Sequence, residues 1–257
     1  MAFRVIQLDG AFQPVGELPR IRSIDISRDV TGDAPLIESA SIEFDSESPV
    51  FAGGWYRIDW HGFGVRSLGV FYFEAKDREL DKGVWTIKAD GSSVLAIPNS
   101  VQMVNGDYVL AGSDGPSAVR ELLRGIPSGV NVTGAQAVPQ TLVFDSKDTR
   151  LSAAWKILDS IGWCIQLDGD GGVNLLPYPT EAAVEINAGS AGGVLPGISE
   201  SEGKVTYERE YNQARPFDLA RIDLPRNGIS GALRILAQDL SIGKGVTVKE
   251  RIGVLER

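Results

Sequence analysis

Between residues 151 and 161 the apolar side chains Leu151, Ala154, Trp155, Leu158 and Ile161 fall at i, i+3, i+4, i+7 and i+10. That spacing is the stripe of an amphipathic helix. Asp148 and Thr149 stand where an N-cap belongs, and Gly162 stands where a left-handed C-terminal residue belongs. The period then drops to two. Trp163, Ile165 and Leu167 alternate with smaller or polar residues, DGDGG follows at Asp168 to Gly172, and Val173 to Leu176 resume an apolar run. A calcium loop also begins with acids two apart beside glycine, so the stretch has two readings. Counted from Asp168, the fifth and sixth positions are Gly172 and Val173 and the twelfth is Pro179, which leaves too few oxygen ligands for calcium. The pattern predicts a helix packed on a hairpin over 149–178, with Trp155 and Trp163 in the core and DGDGG as the turn.

The period of two dominates elsewhere. Leu36, Ala40, Ile42 and Phe44 share one parity and Ser39, Ser41 and Glu43 the other, while Ile24 and Ile26 alternate with Asp25 and Ser27. Further strands are predicted around Tyr56–Trp60, at 69–75 and at 84–89, punctuated by glycine and proline. This unit has a counterpart. GVFYFEAKDRELDKGVWTIKADG (69–91) aligns without gaps with GALRILAQDLSIGKGVTVKERIG (231–253), and the matches include Gly69 with Gly231, Ala75 with Ala237 and Lys82-Gly83 with Lys244-Gly245. The same tripeptide precedes both copies, as Arg57-Ile58-Asp59 and Arg221-Ile222-Asp223. Strands of the second copy are expected near 203–211, 218–224, 231–240 and 245–252. Between the copies Pro116 opens another helix, Ala118, Val119, Leu122 and Leu123 give it an apolar side, and Gly125 stops it. The expected fold class is α+β, mainly β. Two similar small β-barrel units, at 1–108 and 189–257, flank a small α/β module of two helices and a hairpin at 109–188.

Charge narrows the function. The chain carries 25 basic and 34 acidic side chains, a net charge of −9. Residues 1–108 hold 10 basic and 16 acidic groups, 109–188 hold 5 and 9, and 189–257 hold 10 and 9. Tight nucleic-acid binding requires a basic surface and is not expected. No apolar run is long enough for a membrane-spanning helix, and the N-terminus does not read as a secretory signal. Asn131-Val132-Thr133 matches a glycosylation sequon and, without a secretory route, is read as chance. Cys164 is the only cysteine and His61 the only histidine. These two supply neither a zinc site nor a nucleophile–base pair, and no G-x-S-x-G elbow, phosphate loop or dinucleotide fingerprint is present. His61, in WHGFG, is read as a loop or surface residue. No catalytic, cofactor-binding or metal-binding residue is assigned, no cofactor is expected, and the chain is read as a non-enzyme. Trp55, Tyr56, Trp60 and Phe63 in GGWYRIDWHGFG are candidates for an aromatic binding surface, against the simpler reading that alternate members are core. An enzyme built on two of the many carboxylates stays as a third possibility without named residues.

Taken in order, ISRDVTGDAPLIESASIEFD (26–45), WYRIDW, GVFYFEAKD, KADGSSVLA (88–96), TRLSAAWKILDSIGWCIQLDGDGGVNLLPYP and RPFDLARIDLPRNGISGALRILAQDLSIGKG resemble the hub proteins at the distal tail end of long-tailed bacteriophages, relatives of the hub portion of contractile injection spikes. The resemblance implies a homotrimer whose six similar units form a ring, adapting a six-fold tail tube to a three-fold tip and forming a channel for DNA exit. It implies as partners a distal tail or tail-tube ring protein, the tape measure protein, and other tail-tip or fibre proteins. It implies a location at the virion tail tip after assembly in the bacterial host cytoplasm. The second unit runs almost to Arg257, so no lytic module is expected. The competing expectation is a carbohydrate- or receptor-binding β module of a virion.

Overall fold

A computed structural model describes residues 2–30, 36–62, 64–187, 199–201, 204–210, 214–224, 229–242 and 246–253. The chain is mainly β, as its two-residue periodicity predicts. The first unit comprises β1 (Ala2–Leu8), β2 (Pro14–Glu17), β3 (Ile21–Asp29), β4 (Ile37–Ser46), β5 (Gly54–Gly62), β6 (Gly64–Asp81) and β7 (Val84–Ser93). All pairings among them are antiparallel, in the spatial order β3-β4-β7-β6-β5-β1-β2. Alternation along β3, β4 and β7 buries one face, and Ile24, Ile26, Ile42, Phe44 and Ile87 from it make the core with Phe71 of β6.

The module that follows contains α1 (Ala96–Asn99), β8 (Tyr108–Val109), α2 (Gly115–Leu122), β9 (Val130–Val132), β10 (Leu142–Val143), α3 (Arg150–Ile161), β11 (Trp163–Leu167) and β12 (Val173–Pro177). Helix α3 is capped as its sequence predicts. Thr149 and Ser152 form a reciprocal capping box, and Gly162 takes the left-handed conformation at φ 73°. Trp155 and Trp163 are both buried in the module core with Leu151, Leu158, Ile165 and Leu175.

The second unit contains β13 (Ala182–Asn187), β14 (Ser199–Ser201), β15 (Lys204–Glu210), β16 (Leu219–Leu224), β17 (Ile229–Ile242) and β18 (Val246–Gly253). Its order is β14-β15-β18-β17-β16, the order β3-β4-β7-β6-β5 over again. β13 lies outside β16 at the place of β1 outside β5, but pairs parallel where β1 pairs antiparallel. The repeat extends to detail. Ile58 of the first Arg-Ile-Asp pairs with Gly69, and Ile222 of the second pairs with Gly231. Both glycines have positive φ, 157° and 143°, where a side chain is disfavoured. Each long strand then carries a bulge against its hairpin partner, between Ala75 and Asp77 in β6 and between Ile235 and Ala237 in β17.

Barrel closure is where the structure departs from expectation. Among the described residues no pairing closes either unit on itself. Instead Ala237–Ile242 of β17 pairs with Ile24–Asp29 of β3, which fuses the two units into one 13-stranded sheet. His61, read as a loop or surface residue, is half-buried in a strand rather than in a loop. It lies in β5, opposite Ala2 of β1 and Val65 of β6. Phe63 lies outside the described residues.

Candidate functional site

The fusion of the two units creates a buried polar cluster, which holds Arg28, Glu38, Gln238 and Glu250. Arg28 continues the inward parity of Ile24 and Ile26 and is fully buried. Its guanidinium lies 3.3 Å from Glu38, donates to the Gln238 side-chain oxygen at 3.1 Å and donates to the Leu68 carbonyl. Gln238 in turn donates to the Ala214 carbonyl at 2.8 Å and to Glu250 at 2.7 Å, and the Tyr207 hydroxyl donates to the other Glu250 oxygen. At the margin Arg251 meets Asp29 at 2.9 Å. Burial pushes the Asp29 carboxyl above its usual range, against the pull of Arg251. Buried charges persist when they are paired, and this cluster pairs its charges across five strands of the two units, although Glu38 is held by ion pairing with Arg28 rather than by a hydrogen bond.

The outward face of β17-β3-β4-β7-β6 is the second feature. It forms a groove of about 1020 Å³. Small polar side chains, Ser27, Ser39, Ser41 and Ser92, make its floor, and Asp25, Asp90, Glu74 and Asp239 stand among them. Ser27 donates to Asp239 at 2.7 Å and Ser241 to Asp25 at 3.2 Å, both pairs lying directly opposite across β3 and β17. Lys76 pairs with Asp90 at 2.7 Å, and this contact raises the lysine pKa. Acids outnumber bases here, so the groove repels polyanions. Trp55 and Tyr72 close one end, ring centroids 5.3 Å apart and nearly perpendicular. Tyr56 and Trp60 point the other way and are buried, so the aromatic cluster of GGWYRIDWHGFG divides between core and groove.

DGDGG forms the β11–β12 turn and acts as a docking point. The Asp168 carboxylate accepts from the amides of Asp170 at 2.9 Å and Gly172 at 2.7 Å, so its oxygens organise the turn itself. Gly169 accepts from the Ser67 hydroxyl of β6, and Arg57 bridges Asp59 at 2.9 Å and Asp170 at 3.2 Å. The acidic turn thereby fastens the module to the first unit. Phe217 fastens it to the second, with its ring 5.2 Å from Trp155 and 5.9 Å from Tyr178. Cys164 is buried, and burial pushes its thiol up to about 12. It is thus a poor nucleophile at neutral pH. Among the described residues no group of histidine, cysteine and carboxylate side chains is arranged to hold a metal ion, and no helix is long and apolar enough to cross a membrane.

The sequence reading missed the buried cluster. Its signal was present: Arg28 and Glu38 occupy the apolar parity of their strands.

The sequence matches no family model and no curated protein. Solved structures do match in fold. A tail protein from Neisseria meningitidis superposes with a TM-score of 0.70 at 11% identity, covering 98% of this chain and 97% of its own. A 43 kDa tail protein of a Shewanella oneidensis prophage gives 0.68 at 11% identity, with the same coverages of 98% and 97%. A type VI secretion component of E. coli, itself described as structurally similar to two bacteriophage T4 tail proteins, gives 0.62 at 9% identity, covering 93% of this chain and 74% of its own. Across nearly its whole length, the chain has the fold of phage tail proteins and of a type VI secretion component.

Proposed function

We propose that the chain is a structural virion protein, a trimeric hub at the distal end of a phage tail tube. Three copies, each with two similar β units, present six quasi-equivalent units in a ring, which adapts a six-fold tube to a three-fold tip. The observation that carries this reading is the repetition of strand order, glycine position and bulge in units that abut edge to edge. The units built on β1–β7 and β13–β18, close to the 1–108 and 189–257 expected from sequence, form the ring, and the module between them sits beside it. The ring meets a distal tail or tail-tube ring protein, the tape measure protein, and other tail-tip or fibre proteins. The acidic groove face lines the channel for exiting DNA and keeps it from adhering. No enzymatic step is assigned to the chain.

Electron microscopy of the concentrated protein tests the reading. Six lobes with three-fold symmetry support it, and a closed dimer without a central opening sinks it. The channel assignment has its own test. Replacing Asp25, Asp90 and Asp239 by lysine in the assembled virion is expected to slow DNA ejection, and unchanged ejection removes that assignment.

One observation favours a second reading, a carbohydrate- or receptor-binding module of the virion. Tyr72 is 42% exposed and with Trp55 offers aromatic surface at the end of a polar groove. Specific signals on a glycan array, lost in Tyr72→Ala, would support that reading over the hub.

A further inference from the structure

Strand β17 is joined on both edges. β18 runs along one edge, while the other is shared end to end by β16 over Ile229–Arg234 and by β3 over Ala237–Ile242. Its counterpart β6 is joined differently. β5 takes Gly64–Phe73 and β7 takes Phe71–Asp81, but among the described residues no strand lies on the other edge of residues 75–81. Burial follows the pairing. Leu240 and Ile242 of β17 are 1% and 7% exposed, whereas Leu80 of β6 is 54% exposed within a stretch, 76–83, that is exposed throughout. At the far end of the sheet β14, the counterpart of β3, pairs with β15 alone among the described residues. Among the described residues, each chain therefore contains one completed joint and two edges that match the halves of a second.

We propose that the open edge of β6, residues 75–81, pairs antiparallel with the open edge of β14 of a second copy of this chain. The contact repeats between chains the β17–β3 joint made within one. It rests on the ring reading given above and names the surface that closes the ring. Local geometry makes the edge available. The turn Lys82-Gly83 has φ values of 48° and 83° and joins Asp81 directly to its partner Val84. In a two-residue turn of this mirror-image type the flanking pair exchanges both backbone bonds, so the peptide groups of Arg78 and Leu80 point away from β7. The Arg78 amide donates to the exposed Asp77 carboxylate at 2.8 Å, a bond that an incoming strand replaces. The side chains beside them, Lys76, Asp77, Arg78, Glu79 and Asp81, carry both signs of charge. Such a border discourages indiscriminate strand addition while leaving the backbone ladder open to a matching strand. The contact is heterologous, β6 of one copy meeting β14 of the next, so it propagates in one rotational sense until a ring closes.

Backbone donors, rather than side chains, are what the test must remove. Arg78→Pro and Leu80→Pro each delete an outward N–H without touching the β6–β7 ladder, and Arg78→Ala removes the side chain but keeps the donor. With the full chain at rising concentration, mass is followed by light scattering, and amide exchange is compared between the assembled and diluted protein. The expected result is that exchange at Arg78 and Leu80 slows by about tenfold or more on assembly. The two proline variants associate at least about tenfold more weakly, and Arg78→Ala stays within roughly twofold of the unmodified chain. Far-ultraviolet circular dichroism of all variants should match the unmodified chain. Rings that form equally well in the proline variants, with Arg78 and Leu80 unprotected, overturn the edge pairing and leave the hub reading intact. Proline-sensitive association that stops at a dimer supports the pairing and counts against the trimeric hub. A chain that stays monomeric to millimolar concentration overturns the pairing as a contact between free copies, whereas the hub reading is then judged on imaged tails.

Discussion

Gly169 shows how much one missing side chain can matter. A Cβ built there would lie 2.4 Å from the Ser67 carbonyl oxygen and 2.8 Å from the Ser67 Cβ, neither of them the far end of a flexible side chain that could give way. Gly169→Ala is expected to destabilise the protein by about 1–3 kcal/mol, read as a lower melting temperature. Arg28 is the opposite case, a long side chain that must be present. Arg28→Ala leaves Glu38 buried beside an empty cavity, and a loss of roughly 3–5 kcal/mol is expected in denaturant unfolding. Cys164 makes a convenient reporter for both variants. Its thiol, pushed to about 12 by burial, is expected to resist alkylation in the folded chain at neutral pH and to react on unfolding. Rapid labelling of the native protein would contradict its burial. At this scale the sequence was legible wherever a residue's type agreed with its parity. Arg28 and Glu38 violate the pattern, and reading them as buried requires knowing that Gln238 and Glu250 arrive from the far end of the chain.

Among the elements, α3 was the most legible because every signal for it is local. Stripe, cap and terminal glycine lie within fourteen residues and agree with the structure. Thr149→Ala is expected to cost about 1 kcal/mol, measured by thermal melting. Asp148, one residue earlier, adds a pH dependence. Burial pushes its carboxyl up, but the Lys156 ammonium, the Asp145 amide and the Ser152 hydroxyl outweigh that and hold it below the ordinary carboxylate value. A carboxyl lowered in the folded state contributes stability that is present above its unfolded pKa and fades as pH falls through the folded one. Acid unfolding of Asp148→Asn should accordingly lose part of the pH slope below about pH 4 that the unmodified chain shows. The strands were less legible. β6 reads from its apolar alternation as 69–75, yet it spans Gly64–Asp81. Its last third, KDRELD, has no buried face in the chain and so no alternation to detect. β1 was missed because Val5 and Ile6 are both buried, which masks the period of two.

Over the whole molecule, composition and repeats gave the class and the duplication, but not the joint. The β17–β3 ladder links residues more than two hundred positions apart, as in the Ser27–Asp239 bond, and no local pattern announces it. Leu240, Ile242 and Val248 of the second unit pack into the core of the first. A fragment comprising residues 181–257, which retains β13, is therefore expected to be largely unfolded by circular dichroism, and to gain structure when mixed with residues 1–180. A fragment that folds alone would show the joint to be dispensable. The buried cluster at that joint bears on how such a chain arises. Gene duplication turns one of two formerly identical contacts into a contact within a single polypeptide, where the connecting segment supplies an effective concentration of roughly millimolar or more. A tethered contact tolerates desolvated charge because its partners never separate. A contact between free chains must form anew in every particle and keeps water and loose charge at its border. Arg28, Gln238 and Glu250 at the internal joint, against the exposed KDRELDK hairpin at the joint proposed between chains, are what an ancestral self-association would leave behind once half of it had become permanent.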